Sequence, residues 1–208
     1  MEPVPEAAGL APYLAADHVI DHAHPVVAAL AARLRAQETT LEGYARAAYA
    51  YVRDRVPHSF DSGDPRVAWR ASDVLATRNG ICYAKAHALV ALLRREGIPA
   101  GLCYQLLTED DGSAPAVHGL IALRLPGSGR WTRQDPRGNR PGVDARFRLD
   151  TEQLAFPVRP ELGEADHPVV HATPPAPVLD ALCAAPDTTA LAELLPRSLA
   201  GLRSPKPA

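Results

Sequence analysis

Arg78-Asn79-Gly80-Ile81-Cys82-Tyr83-Ala84-Lys85-Ala86-His87-Ala88-Leu89-Val90-Ala91-Leu92-Leu93 reads as a turn that opens into a helix with a cysteine in its first turn. Asn79-Gly80 is turn chemistry, the Ala and Leu that follow are strong helix formers, and Gly97 before Pro99 is the expected stop. From Cys82 the residues Ala86, Leu89 and Leu93 recur at helical spacing, so the thiol belongs to the inward face. A thiol there lies in the positive end of the helix dipole, beside backbone N–H groups that favour thiolate and can hold an oxyanion. Two readings are open on this helix alone: a nucleophile, or a small buried hydrophobe.

The surroundings of this helix predict an α+β fold. Upstream, Pro25 starts a helix to about Gln37 with Val26, Val27, Leu30 and Leu34 inward. Thr39-Thr40-Leu41-Glu42 is a capping-box pattern before a helix whose Tyr44, Ala47, Ala48, Tyr51 and Val52 share a face and which stops at Val56-Pro57. Residues 58–71 form a polar loop, and Ser72 caps a short helix leading to Gly80. Downstream, Gly101–Leu107, Val117–Leu125 and Arg130–Gln134 are β-like runs separated by Asp110-Asp111-Gly112-Ser113 and Gly127-Ser128-Gly129, an antiparallel meander against the cysteine helix.

The ends carry less pattern. Residues 1–12 are an irregular lead-in, and the proline-dense stretch from Phe156 to Pro177 is a wrapping arm more than a core element. Val178–Cys183 and Ala190–Leu195 are short terminal helices, and Ser204–Ala208 is a disordered tail. At 208 residues with 47% hydrophobic content, one domain is expected, with its core at about 25–150 and an arm with short helices over 151–208. A net charge of −2 argues against nucleic acid, and no apolar run suits a membrane. Cys82, Cys103 and Cys183 form no CxxC pair, which favours reduced thiols in a cytoplasm. Abundant Ala, Arg and Pro with scarce Lys and Met describe a GC-rich genome.

A cysteine nucleophile needs a base and a group to orient that base. His118 lies on the second predicted strand and Asp135 ends the third, so the two are expected side by side, both facing the cysteine helix. One ring nitrogen would then take Asp135 and the other Cys82, with His58 and His87 as the alternative bases. Tyr83, Trp69 and Gln105 are candidate oxyanion donors beside the Cys82 N–H, and Lys85, one turn on, is either a solvated lysine or a thiolate partner. Cys103 reads as core filling, with a Cys82–Cys103 disulfide as the lesser alternative. Arg133, Arg137, Gly138, Asn139, Arg140 and Gly142 form a basic, glycine-rich loop that either frames an anionic acyl donor or is simply solvated. Asp17, His18, Asp21, His22 and His24 include a zinc-like His pair, but no partner ligand has suitable spacing and Pro25 interrupts the helix, so no metal is expected.

Gly80-Ile81-Cys82-Tyr83-Ala84-Lys85-Ala86, Leu92–Ala100, Val117-His118-Gly119 and Trp131-Thr132-Arg133-Gln134-Asp135-Pro136 together resemble the core motifs of the transglutaminase-like superfamily in a compact bacterial version, over roughly residues 45–140. The resemblance implies a papain-like Cys-His-Asp triad at Cys82, His118 and Asp135 on a helix plus antiparallel-sheet fold. It implies acyl transfer or hydrolysis on a peptide, amide or thioester through an acyl-enzyme, with no cofactor. Some small members act on carrier-protein thioesters, which makes a carrier protein a candidate partner and cyclisation an alternative outcome; an inactive scaffold of the same fold is the other alternative. Many relatives carry Ala-Trp after the histidine, where Gly119-Leu120 stands here.

Overall fold

In a computed structural model describing residues 2–202, a five-stranded sheet packs on a central helix that other helices surround. The tail at Ser204–Ala208 lies outside the described residues. The meander is present: β2 (Ala100–Leu107), β3 (Ala116–Leu123) and β4 (Thr132–Gln134) pair antiparallel in sequence order. Helices α1 (Pro25–Arg35), α2 (Leu41–Arg55) and α4 (Ala71–Thr77) pack around the cysteine helix α5 (Cys82–Arg95), and α3 (Ser59–Ser62) is one turn inside the predicted loop.

Three local expectations change. The cap of α2 is Thr40, whose hydroxyl accepts the Gly43 N–H, and the buried face is Tyr44, Ala45, Ala48, Tyr49 and Val52, with Ala47 and Tyr51 half-buried. Ser72 does not cap α4; it sits inside the first turn and donates to Asp21. The residue that turns left-handed before α5 is Arg78 at φ 50°, while Gly80 is a matter of space, since a Cβ there would stand 2.8 Å from that of Ala84. Gly97, with φ +74°, ends α5 as expected.

Helix α5 has no solvent face. Every residue from Tyr83 to Arg94 is buried, because β2 and β3 cover one side and α1, α2 and α4 the rest. Solvent reaches the helix only at its two ends, where Cys82 is partly exposed and Arg95 exposed. The polar residues inside this helix are therefore partnered by main chain: Arg94 donates to the carbonyls of Ala15, Ala100 and Ala172, and Lys85 to those of Arg53 and Val56.

The proline-dense arm is part of the sheet. Ala165–His171 forms β5, antiparallel to β2, and Val4–Pro5 of the lead-in adds β1 parallel to it, giving the order β1-β5-β2-β3-β4. Pro168 has no N–H to give the ladder, and the register between Leu102 and Tyr104 shifts where it falls. The outer sheet face holds a second cluster with Tyr13, Cys103, Leu120, Ala122 and Trp131. The terminal helices are α6 (Ala176–Ala184) and α7 (Thr188–Leu194).

Candidate active site

The N-terminus of α5 abuts strand β3 at Gly119. A Cβ on that residue would lie 2.5 Å from Cδ1 and 3.2 Å from Cα of Tyr83, so glycine after the histidine is what lets the first turn of α5 come this close. The departure from Ala-Trp is thus a packing match with Tyr83. Cys82 Sγ consequently sits 3.5 Å from the Gly119 N–H, which donates to it, and within hydrogen-bonding reach of the His118 ring.

Nε2 of His118 lies 2.9 Å from Oδ2 of Asp135, leaving Nδ1 for the sulfur. The two residues are diagonal and not directly opposed: the β3–β4 register, continued one step past Gln134, sets Asp135 against Leu120. Asp135 is fully buried and held from four directions. The Arg137 N–H donates to Oδ1, the Ala155 N–H to Oδ2 alongside His118, and the Tyr49 hydroxyl to its carbonyl. The arm also supplies Phe156, whose ring stands edge-on to His118 with centroids 5.4 Å apart.

These contacts set the protonation states. Burial by itself raises the Cys82 thiol, but the charge and hydrogen bond of His118, followed by those of His58, outweigh it and bring the group down to about 5. Burial likewise works against the His118 imidazolium, yet the charges of Asp135 and Cys82 lift it to about 10. For Asp135, burial opposes ionisation and is overcome by His118 and the N–H groups of Arg137 and Ala155, so the carboxyl stays below its usual range. The arrangement favours thiolate, imidazolium and carboxylate in a row.

A second imidazole closes the site. His58 Nε2 accepts the Cys82 N–H at 3.1 Å, so this backbone donor is already engaged. His58 is held through its own main chain: its carbonyl accepts from Asp61 and Ser62, and Ser59 N donates to the Gly80 carbonyl.

The other sequence candidates are committed elsewhere. The Tyr83 hydroxyl donates to the Val117 carbonyl, and the Gln105 amide to Asp166 at 2.9 Å. Trp69 meets His18 edge-on, lies under the Arg70 guanidinium and receives the His87 ring on its carbonyl. Lys85, brought down to about 7 chiefly by burial, ties the end of α2 to α5 and donates to no sulfur. The basic loop is neutralised from within: Arg133 pairs with Glu152 and Asp166, Arg137 with Asp61, and Arg140 more loosely with Asp61. In the 17–24 segment Asp17 binds the Val19 and Ile20 N–H groups, Asp21 binds Ser72, and His24 caps α1. Cys103 is free and buried, its thiol pushed up to about 12 by burial, and Cys183 is free and exposed. No cluster of metal-ligating side chains occurs among the described residues, and no helix there is long and apolar enough to cross a membrane.

Sequence reasoning passed over Ala155 and Phe156, whose signal was the apolar island Leu154-Ala155-Phe156 in a polar, proline-rich run. Beyond Phe156 opens a cleft of about 480 Å³, walled by Leu107–Asp110, Arg140–Val143, Pro157 and Arg159. Phe156 thus touches both the His118 ring and the lining of this cleft.

The sequence profile of the Transglutaminase-like superfamily matches residues 28–136, just over half of the chain. No curated protein matches. Among solved structures, a candidate cysteine protease from Cytophaga hutchinsonii aligns with a TM-score of 0.52 at 22% identity, over 65% of this chain and 45% of its own. The periplasmic domain of TgpA from Pseudomonas aeruginosa aligns with a TM-score of 0.45 at 23% identity, over 60% of this chain and 45% of its own. The alignments cover less than half the length of either structure, and the likeness to the first is one of fold. With its helix-borne cysteine, its meander and a profile match that spans both, the chain belongs to the transglutaminase-like superfamily.

Proposed function

We propose that the protein is a thiol acyltransferase or hydrolase. Cys82 attacks an amide or thioester carbonyl, His118 moves the proton, and Asp135 orients the ring and balances its charge. The observation that carries this reading is the 2.9 Å contact of His118 Nε2 with the fully buried Asp135, which leaves Nδ1 toward a thiol held near 5 at a helix N-terminus. In acylation the sulfur–carbon bond forms, the carbonyl π pair moves to oxygen, and collapse expels an amine or thiol that leaves with the proton from His118. Water or an amine then attacks the acyl-enzyme, with His118 as base. The chain's own groups supply each of these roles without a cofactor. The cleft beyond Phe156 supports a substrate that runs past the arm, and three unpaired thiols support a reducing, cytoplasmic setting.

The test is acylation by a small thioester, S-acetyl-N-acetylcysteamine, followed by peptide mass spectrometry. Acetylation at Cys82 and none in Cys82→Ala is the expected result. Acetylation confined to Cys103 or Cys183 would overturn the assignment. Adding putrescine separates the two outcomes: faster loss of the acetyl group means transfer to amines, and an unchanged rate means hydrolysis.

A further inference from the structure

Beside His118, a second imidazole, His58, meets Cys82 at its backbone N–H. His58 is 8% exposed and its Nε2 is 3.1 Å from Cys82 N. We propose that His58 is a second catalytic histidine, and that its Nε2 with the Cys82 N–H forms the oxyanion hole. This rests on the thiol acyl-transfer reading above.

The geometry allows one oxygen to satisfy both groups. An oxyanion needs donors at roughly 2.7–3.1 Å, and two nitrogens 3.1 Å apart can share an acceptor at that distance from each. In the resting protein the Cys82 N–H points at the Nε2 lone pair, so the ring proton sits on Nδ1. That Nδ1 is buried and has no hydrogen-bond partner among the described residues. Nothing pins the proton there, and shifting it to Nε2 gives up only the bond from the Cys82 N–H, which the incoming oxygen replaces. His87 is the contrast, because its Nδ1 is fixed at 2.8 Å to the Trp69 carbonyl. When the carbonyl oxygen enters between the two nitrogens, the Cys82 N–H turns from Nε2 to the oxygen, and Nε2, now protonated through solvent exchange, donates as well. No net proton is taken up. Of the alternative donors, the Tyr83 hydroxyl is committed to the Val117 carbonyl and the Gln105 amide is turned to Asp166.

The substitution His58→Leu removes the donor, and His58→Gln restores an N–H near the position of Nε2. Neither touches the backbone contacts that hold residues 58–62. Two reactions at pH 8 separate an oxyanion role from a thiolate role. Acetylation by p-nitrophenyl acetate, followed as the single-turnover release of p-nitrophenolate, passes through a tetrahedral oxyanion; alkylation by iodoacetamide does not. His58→Leu is expected to slow acetylation by about 10²- to 10³-fold while alkylation of Cys82 changes by less than about threefold, and His58→Gln should recover at least tenfold of the loss. Circular dichroism and thermal melts check that each variant folds. Wild-type acetylation in His58→Leu, an equal fall in both reactions, or no recovery with His58→Gln would overturn the proposal. If wild-type Cys82 alkylates normally yet accepts no acetyl group, the acyl-transfer reading fails and takes this one with it.

Discussion

Helix α5 meets buried polar groups both at its N-terminus and along its interior, and the two sets are treated in opposite ways. In the interior, Lys85, His87 and Arg94 give their hydrogens to main-chain carbonyls and end those bonds there. At the N-terminus, Cys82, His118 and Asp135 are partnered chiefly with one another, so each group's charge sets that of the next. The two histidines make the contrast plain: Asp135 and Cys82 lift His118 to about 10, while burial brings His87 down to about 4. Burial alone does not mark an active site; burial against another titratable group does.

The hardest way to break this comparison is at the sulfur. Cys82→Ala and His118→Ala are each expected to lower single-turnover acylation by more than about 10⁴-fold, and the double variant to fall little further, because members of a catalytic unit are not additive. Cys82→Ala should cost only about 1 kcal/mol or less in urea denaturation, since one partly exposed atom is lost. Near-normal acylation in either variant would place the reacting groups elsewhere, with His58 the nearest other imidazole.

Asp135 belongs to both halves of the comparison, because it pairs with His118 and also collects the N–H groups of Arg137 and Ala155. Asp135→Asn exchanges one accepting oxygen for a donor, leaving either a ring N–H or a backbone N–H without an acceptor. We expect a loss of roughly 10²- to 10⁴-fold in acylation together with about 2–4 kcal/mol of stability. Full stability with the rate loss alone would mean that the arm does not depend on this carboxylate.

How far the sequence revealed this arrangement follows from the same division. The helix, the meander and the order Cys82, His118, Asp135 were readable, because each depends on local periodicity or short turns. What escaped depends on contacts between distant segments. Strand β5 hides behind Pro168, which a central strand rarely contains, and is accommodated by a register shift visible only once β2 lies beside it. The expectation of one inward face on α5 failed because the sequence does not show that α1, α2 and α4 cover the opposite side. Lys85 reads as a solvated lysine or, one turn from Cys82, as a thiolate partner; it is buried, and the carbonyls at the end of α2 claim it.

Arg94 tests the structural half. It ties three carbonyls together, joining Ala15 just after the lead-in, the start of β2 at Ala100 and Ala172 just past the end of β5. Arg94→Met keeps much of the volume and leaves those acceptors unpaired, for an expected loss of about 3–5 kcal/mol. Acylation per folded molecule should be unchanged. A rate loss exceeding the loss of folded protein would mean that the two ends of α5 are coupled.

The smallest expected effect separates the histidines by pH. His87 is brought from an ordinary 6.5 to about 4, first by burial, with the Trp69 carbonyl and Asp17 pulling the other way. Its folded state thus holds fewer protons than the unfolded chain between these values, so stability is lost as pH falls from about 6.5 toward 4 and levels off below. His118 has the opposite sign: raised to about 10, its contribution is complete below 6.5 and is lost as pH rises through about 10. His87→Gln retains a donor for the Trp69 carbonyl and removes the titration. Urea midpoints of wild type and His87→Gln, compared from pH 4 to 8, should differ by a constant amount above about pH 7, with wild type losing up to about 3 kcal/mol relative to the variant on the acid side. A difference that stays constant down to pH 4 would show that His87 is not held neutral by burial, and the distinction between the two buried imidazoles would then need another cause.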